Sequence, residues 1–178
     1  LLAARSTLAD HYYVPSGSME YTLHVGDRVL VDKRAYGFRV PFTNIDLVSQ
    51  DPVARGEIVI FDSPNDGKRL IKRVVAIGGD LVSLKKGRLT VNGVELTVDA
   101  DPPVERFDVR SAFLNLEHGG GPDLYRLRVP HGSVLAMGDH RGRSMDGRFF
   151  GFVEESEIYG KALGVYHRRG EGFTWIRL

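Results

Sequence analysis

Two short stretches hold residues whose types and spacing could do covalent chemistry. "VPSGSM" (14–19) sets Ser16 and Ser18 on a bend made by Pro15 and Gly17, just before a run of strand-like residues. Pro, Ser and Gly make turns wherever turns are needed, so the bend alone is weak evidence. It becomes chemical if one hydroxyl is a nucleophile whose glycine neighbour lets backbone N–H groups approach a carbonyl, and that requires a base elsewhere. "LIKRVVAIGGD" (70–80) supplies a candidate, because Lys72 stands inside an apolar strand whose alternation turns every second side chain toward a core. Lys72 and Arg73 must then face opposite sides. A buried unpaired ammonium tends to lose its proton, and a lysine shifted by ~3 pH units, about 4 kcal/mol, can accept one from serine at neutral pH. A lysine that snorkels to water from a strand edge is the plainer alternative.

Other bases have less support. The histidines at 11, 24, 118, 131, 140 and 167 show no metal-ligand spacing and no convincing orienting acid, so neither a Ser-His-Asp triad nor a zinc site is expected, and each reads as a surface or satisfied histidine. The absence of cysteine excludes disulfides and thiolate catalysis and leaves the redox compartment undetermined.

The elements that must position Ser18 and Lys72 are strands. Alternating or β-branched runs cover 26–37, 56–64, 69–80, 81–97, 125–139 and 159–169, and "VNGV" (91–94) is a two-residue hairpin signal. Only "NIDLVSQD" (44–51) and "EESEIYG" (154–160) read as helical. The expected fold is mainly β, with a catalytic core from 1–83 and 125–178 and a small β insertion at 84–124. The 178 residues suffice for one domain with an insertion, and 24 basic against 23 acidic side chains give a net charge of +1, so no global field draws the chain to nucleic acid. No apolar run approaches the ~18 residues of a spanning helix. The opening "LLAARS" reads as the end of an upstream anchor.

With "GDHRGRSMDGRFFG" (138–151) these stretches resemble the type I signal peptidases, membrane-bound serine proteases that cut signal peptides from exported preproteins. In that family a Pro-Ser-Gly-Ser-Met turn carries the nucleophile, a Lys-Arg pair on a later strand carries the base, and a Gly-Asp-x-Arg…Ser-x-Asp-x-Arg stretch braces the site. The resemblance implies the signal-peptidase/LexA-like β-fold of antiparallel sheets, Ser18 as nucleophile, Lys72 as general base, and Ser16 with the Ser18 N–H as oxyanion donors. It further implies that Ser144 holds the Lys72 amine, that Asp146 and Arg148 pair within the loop, and that Asp139 is structural. Val14, Pro15, Met19, Leu23, Leu70 and Ile71 would wall a shallow apolar site for small residues one and three positions before the cut. The partners implied are preprotein signal peptides and a lipid interface, with "YGFRVPF" (36–42) as a candidate membrane contact. The place implied is the bacterial inner (cytoplasmic) membrane, with the catalytic domain on the extracytoplasmic side, and no cofactor or metal is expected. The chain departs from the pattern at Tyr21, where proline is common, and at His140, Gly142, Arg143 and Gly147. A LexA-like self-cleaving domain and a non-catalytic β binding module are the alternative readings.

Overall fold

In the computed structural model of the chain, residues 9–35 and 52–178 are described. The opening "LLAARS", the helix expected at 44–51 and the candidate membrane contact at 36–42 lie outside the described residues. Strands β1 (Ala9–Tyr13), β2 (Arg28–Asp32), β3 (Ile58–Asp62) and β4 (Arg69–Ile77) come first. They are followed by the short strands β5 (Leu81–Lys85), β6 (Arg88–Val91), β7 (Val94–Glu95), β8 (Thr97–Val98), β9 (Val104–Arg106), β10 (Ser111–Phe113) and β11 (Leu124–Arg128). The chain then returns through β12 (Ser133–Met137), a one-turn helix α1 (Gly147–Phe150), β13 (Val153–Glu154), β14 (Ile158–Arg168) and β15 (Gly172–Arg177).

The main antiparallel sheet runs β1-β2-β14-β3-β4-β12-β13, with β15 paired to β14, and two smaller sheets run β10-β9-β8 and β11-β5-β6-β7. The fold is thus mainly antiparallel β, as the alternation in the sequence demands. Strand β4 is central, and its near-continuous burial from Ile71 to Ala76 reflects cover on both faces. Ile71 packs with Ile58, Ile60, Val29 and Val31 in one cluster, whereas Val74 joins Val59, Phe61 and Val134 in another. Val75 and Ala76 meet Val82, Leu84, Leu89 and Phe107, so the smaller sheets are seated on the end of β4.

The "VNGV" hairpin forms as its sequence requires: Val91 pairs with Val94 across Asn92 and Gly93, both at positive φ. "EESEIYG" does not become the expected helix. Glu155–Glu157 makes one 3-10 turn and the chain enters β14 at Ile158, because β14 pairs with β2, β3 and β15 and that pairing outweighs the local preference of Glu and Ser. The helix the sequence did not announce, α1, is capped by Asp146, whose side chain accepts from the Arg148 N–H.

Candidate functional site

The serine turn is a single 3-10 turn, Gly17–Met19, preceded by Ser16 in extended conformation. Met19 is the anchor. With Val14 and Leu23 it is wholly buried, and the turn is tied at both ends by Val14 N–H to Asp27 O (2.9 Å) and Leu23 N–H to Met19 O (2.9 Å). Gly17 lies under the Glu20 carboxylate, and a Cβ there would stand 2.7 Å from Glu20 Oε1, so that a larger residue would push the carboxylate aside. The turn therefore holds Ser18 at 8 % exposure, while the Ser16 hydroxyl caps nothing and stays available.

Strand β4 delivers the partner. Lys72 is 3 % exposed, and its Nζ lies 2.6 Å from Ser18 Oγ. Burial pushes its amine down from 10.5 to about 8; Asp146 and Asp139 pull it up, and Arg148 pushes it down. Hydrogen-bonded to a hydroxyl and without a carboxylate in contact, this amine can exist neutral at mildly alkaline pH and accept the serine proton.

Residues 138–148 pack over the pair. Gly138 makes the approach possible, since a Cβ there would fall 2.4 Å from Ser18 O and 2.2 Å from Ser144 Oγ. Asp139 is fully buried and accepts from the Arg73 guanidinium at 2.9 and 2.7 Å and from the Thr22 hydroxyl at 2.5 Å. Arg73 also donates to Gly56 O (2.7 Å), so the second charge of the Lys-Arg pair is neutralised on the far side of the strand. Asp146 accepts from Gly138 N–H (2.9 Å) and twice from the Arg148 guanidinium (both 2.8 Å). Burial pushes its carboxyl up, yet the Arg148 and Gly138 donors hold it below the usual carboxylate range. Ser144 is buried beside Gly138, and its Oγ has no hydrogen-bond partner among the described residues.

The six residues named as walls are not equivalent. Val14, Met19, Leu23 and Ile71 are core side chains beneath Ser18, Leu70 is half-buried, and Pro15 is exposed. Val14, Met19, Leu23 and Ile71 belong to one core cluster that also holds Val29, Val31, Ile58 and Ile60.

Two features were not legible beforehand. Arg141 and Glu105 are both fully buried and bond in parallel (2.7 and 2.6 Å), clamping the loop to β9. Arg141 lies within the loop motif, but nothing near "PPVERFD" marks Glu105 as its partner. His140 is also buried, with Nδ1 3.4 Å from Glu20 Oε2, so it does have a facing acid. Among the described residues, no group of three or more His, Asp or Glu is placed to hold a metal ion.

A buried Ser-Lys contact under a braced loop, on an antiparallel β-fold, is the arrangement that a serine hydrolase with a lysine base would require. The sequence pattern of the family described as signal peptidase, peptidase S26, matches residues 1–167, and the chain belongs to that family. Signal peptidase I of Pseudomonas aeruginosa is 34% identical over 192 residues, covering 93% of this chain and 67% of that protein. Signal peptidase I of Pseudomonas fluorescens is 32% identical over 191 residues with the same coverage. A crystal structure of a signal peptidase I from Enterococcus faecalis V583 is similar at 30% identity and a TM-score of 0.49, covering 64% of this chain and 98% of that one.

Proposed function

We propose that this signal peptidase cuts preproteins through Ser18 and Lys72, and the observation that carries the reading is the 2.6 Å contact between Ser18 Oγ and a desolvated Lys72 amine. The neutral amine takes the hydroxyl proton as Oγ attacks the scissile carbonyl carbon. The resulting oxyanion is met by the Ser18 N–H and the Ser16 hydroxyl. Collapse breaks the C–N bond, and the Lys72 ammonium returns its proton to the departing amine of the mature chain, leaving an ester on Ser18. Water, deprotonated by Lys72, then attacks the ester, releasing the signal-peptide carboxylate and restoring the Ser18 hydroxyl.

In this reading Asp139, Asp146 and Arg148 hold the covering loop, and the buried Ser144 hydroxyl steers the Lys72 amine once substrate expels water. In the same reading Val14, Met19, Leu23 and Ile71, with Pro15 and Leu70, wall a shallow apolar site beside Ser18. That shape favours small residues one and three positions before the cut, because large side chains overlap and charged ones lose solvation.

Signal peptides reach the enzyme at a bilayer, so a lipid interface is part of the same reading. No helix of the described residues is long and apolar enough to cross a membrane. On β15, however, Phe173 and Trp175 are exposed on one face, 88% and 57%, which suits an interfacial contact. The extracytoplasmic side of the bacterial inner membrane is the place where such substrates emerge.

The test is cleavage of a preprotein in mixed detergent–phospholipid micelles by wild type, Ser18→Ala and Lys72→Arg, with the cut mapped by mass spectrometry. Wild type should cut after Ala-x-Ala and both variants should be inert, since a guanidinium cannot serve as the base. Turnover by Ser18→Ala, or preference for Arg, Lys or an aromatic residue before the cut, overturns the reading.

A further inference from the structure

The histidines that this chemistry leaves unused do not all stay apart. His140 is 2 % exposed, and its backbone N–H donates to Ser18 O at 3.1 Å. Its ring bridges two elements. Nδ1 lies 3.4 Å from Glu20 Oε2, and Nε2 is hydrogen-bonded at 3.0 Å to Nδ1 of His118. The Glu20 carboxylate in turn lies against Gly17, the residue before the nucleophile, where a Cβ would stand 2.7 Å from Oε1. At the other end His118 is exposed but its backbone is pinned: a Cβ on Gly142 would fall 2.1 Å from His118 O, and Arg141 N–H donates to Asn115 O at 3.0 Å.

We propose that Glu20, His140 and His118 form a positioning chain that holds the serine turn against segment 115–118, and that the chain holds only while the two imidazoles are not both protonated. The proposal rests on Ser18 being the nucleophile. At the His-His contact one nitrogen must donate and the other accept. With both rings neutral, His118 Nδ1–H donates to His140 Nε2, and His140 Nδ1–H faces Glu20. With one proton added to His140, its Nε2–H donates to His118 Nδ1 and the chain survives. A second proton sets N–H against N–H between like charges, and the chain parts.

Glu20 faces the pair from the serine turn. In the neighbouring 84–124 segment, Glu117 accepts from the Tyr21 hydroxyl at 3.1 Å, and Asp101 acts on the same tyrosine. Of the loop's own charges, Asp139 is paired with Arg73, Arg141 with Glu105 and Asp146 with Arg148, while Arg143 is exposed.

The test compares log kcat/KM against pH for wild type, His118→Ala and His118→Asn, with thermal unfolding as the check on folding; His118 is exposed, so neither change opens the core. Lys72 imposes one deprotonation, a slope of about 1, and the chain adds a second requirement that steepens the acid limb of wild type toward about 2. His118→Ala should lose the steepening and about 5- to 10-fold in kcat near neutrality, the loss of one hydrogen bond, with KM little changed. Asparagine can donate and accept but cannot titrate, so His118→Asn should recover the neutral kcat without the steepening. Superimposable profiles, or a change in KM alone, overturn the chain. In Ser18→Ala protein, which should be inert, the two imidazoles should still titrate as a coupled pair in nitrogen-15 NMR, and independent titrations overturn the chain whatever the turnover. Cleavage by Ser18→Ala would instead remove the nucleophile while leaving the NMR result standing.

Discussion

If Lys72 is a base because it is desolvated, the same desolvation must weaken the fold. The amine is lowered from 10.5 to about 8, chiefly by burial, with Asp146 and Asp139 opposing and Arg148 assisting. Each pH unit between the unfolded and folded values is worth about 1.4 kcal/mol, so the buried ammonium costs the fold about 3 kcal/mol wherever both states are protonated. The unfolded chain keeps its proton up to about 10.5 while the folded chain releases it near 8, so folding stability should rise with pH across that window; below it the full cost is present. Lys72→Met removes the amine, keeps most of the side-chain volume and strands only the Ser18 hydroxyl, a loss of about 1 kcal/mol. The variant should therefore be more stable than wild type by about 2 kcal/mol near pH 7, and slightly less stable near pH 10.5. Urea unfolding of both proteins by circular dichroism at matched pH reads this directly, because other titrating groups cancel in the difference. A Lys72→Met protein less stable than wild type near neutrality, or a difference that does not change with pH, would refute the desolvation argument.

Ser16→Ala should lower kcat by ~10²–10³ with KM nearly unchanged, since one oxyanion donor is lost while the ground state is untouched; steady-state kinetics on a peptide substrate checks this. Asp146→Ala should destabilise by about 3–5 kcal/mol in urea unfolding, because it leaves the wholly buried Arg148 guanidinium unpaired.

How far the site could be read from sequence depends on whether its parts announce themselves locally. Lys72 did, because a charge inside "LIKRVVAI" is anomalous in any two-faced strand, and the strand is indeed covered on both sides. The serine turn did so only jointly with the loop motif, since Pro, Ser and Gly alone fit any bend. The mainly β fold followed from alternation, and the "VNGV" hairpin from two residues that tolerate positive φ. What failed was long-range. Glu105 sits in an aperiodic segment and meets Arg141, 36 residues later, only after the small sheets assemble on β4. The scattered histidines looked independent because Glu20, His118 and His140 converge through the same assembly. "EESEIYG" was misread because its local propensity says nothing of the three strands waiting to pair with β14.

The central claim is that a neutral Lys72 amine activates Ser18, and the pH dependence of kcat/KM between about 7 and 10 tests it most directly. Since the amine must be deprotonated to act, kcat/KM on a signal-peptide substrate should rise with pH through a midpoint at about 8 and then level. A profile already flat across this range, or one whose only rising limb lies near the ~6.5 of an ordinary histidine, would contradict the account.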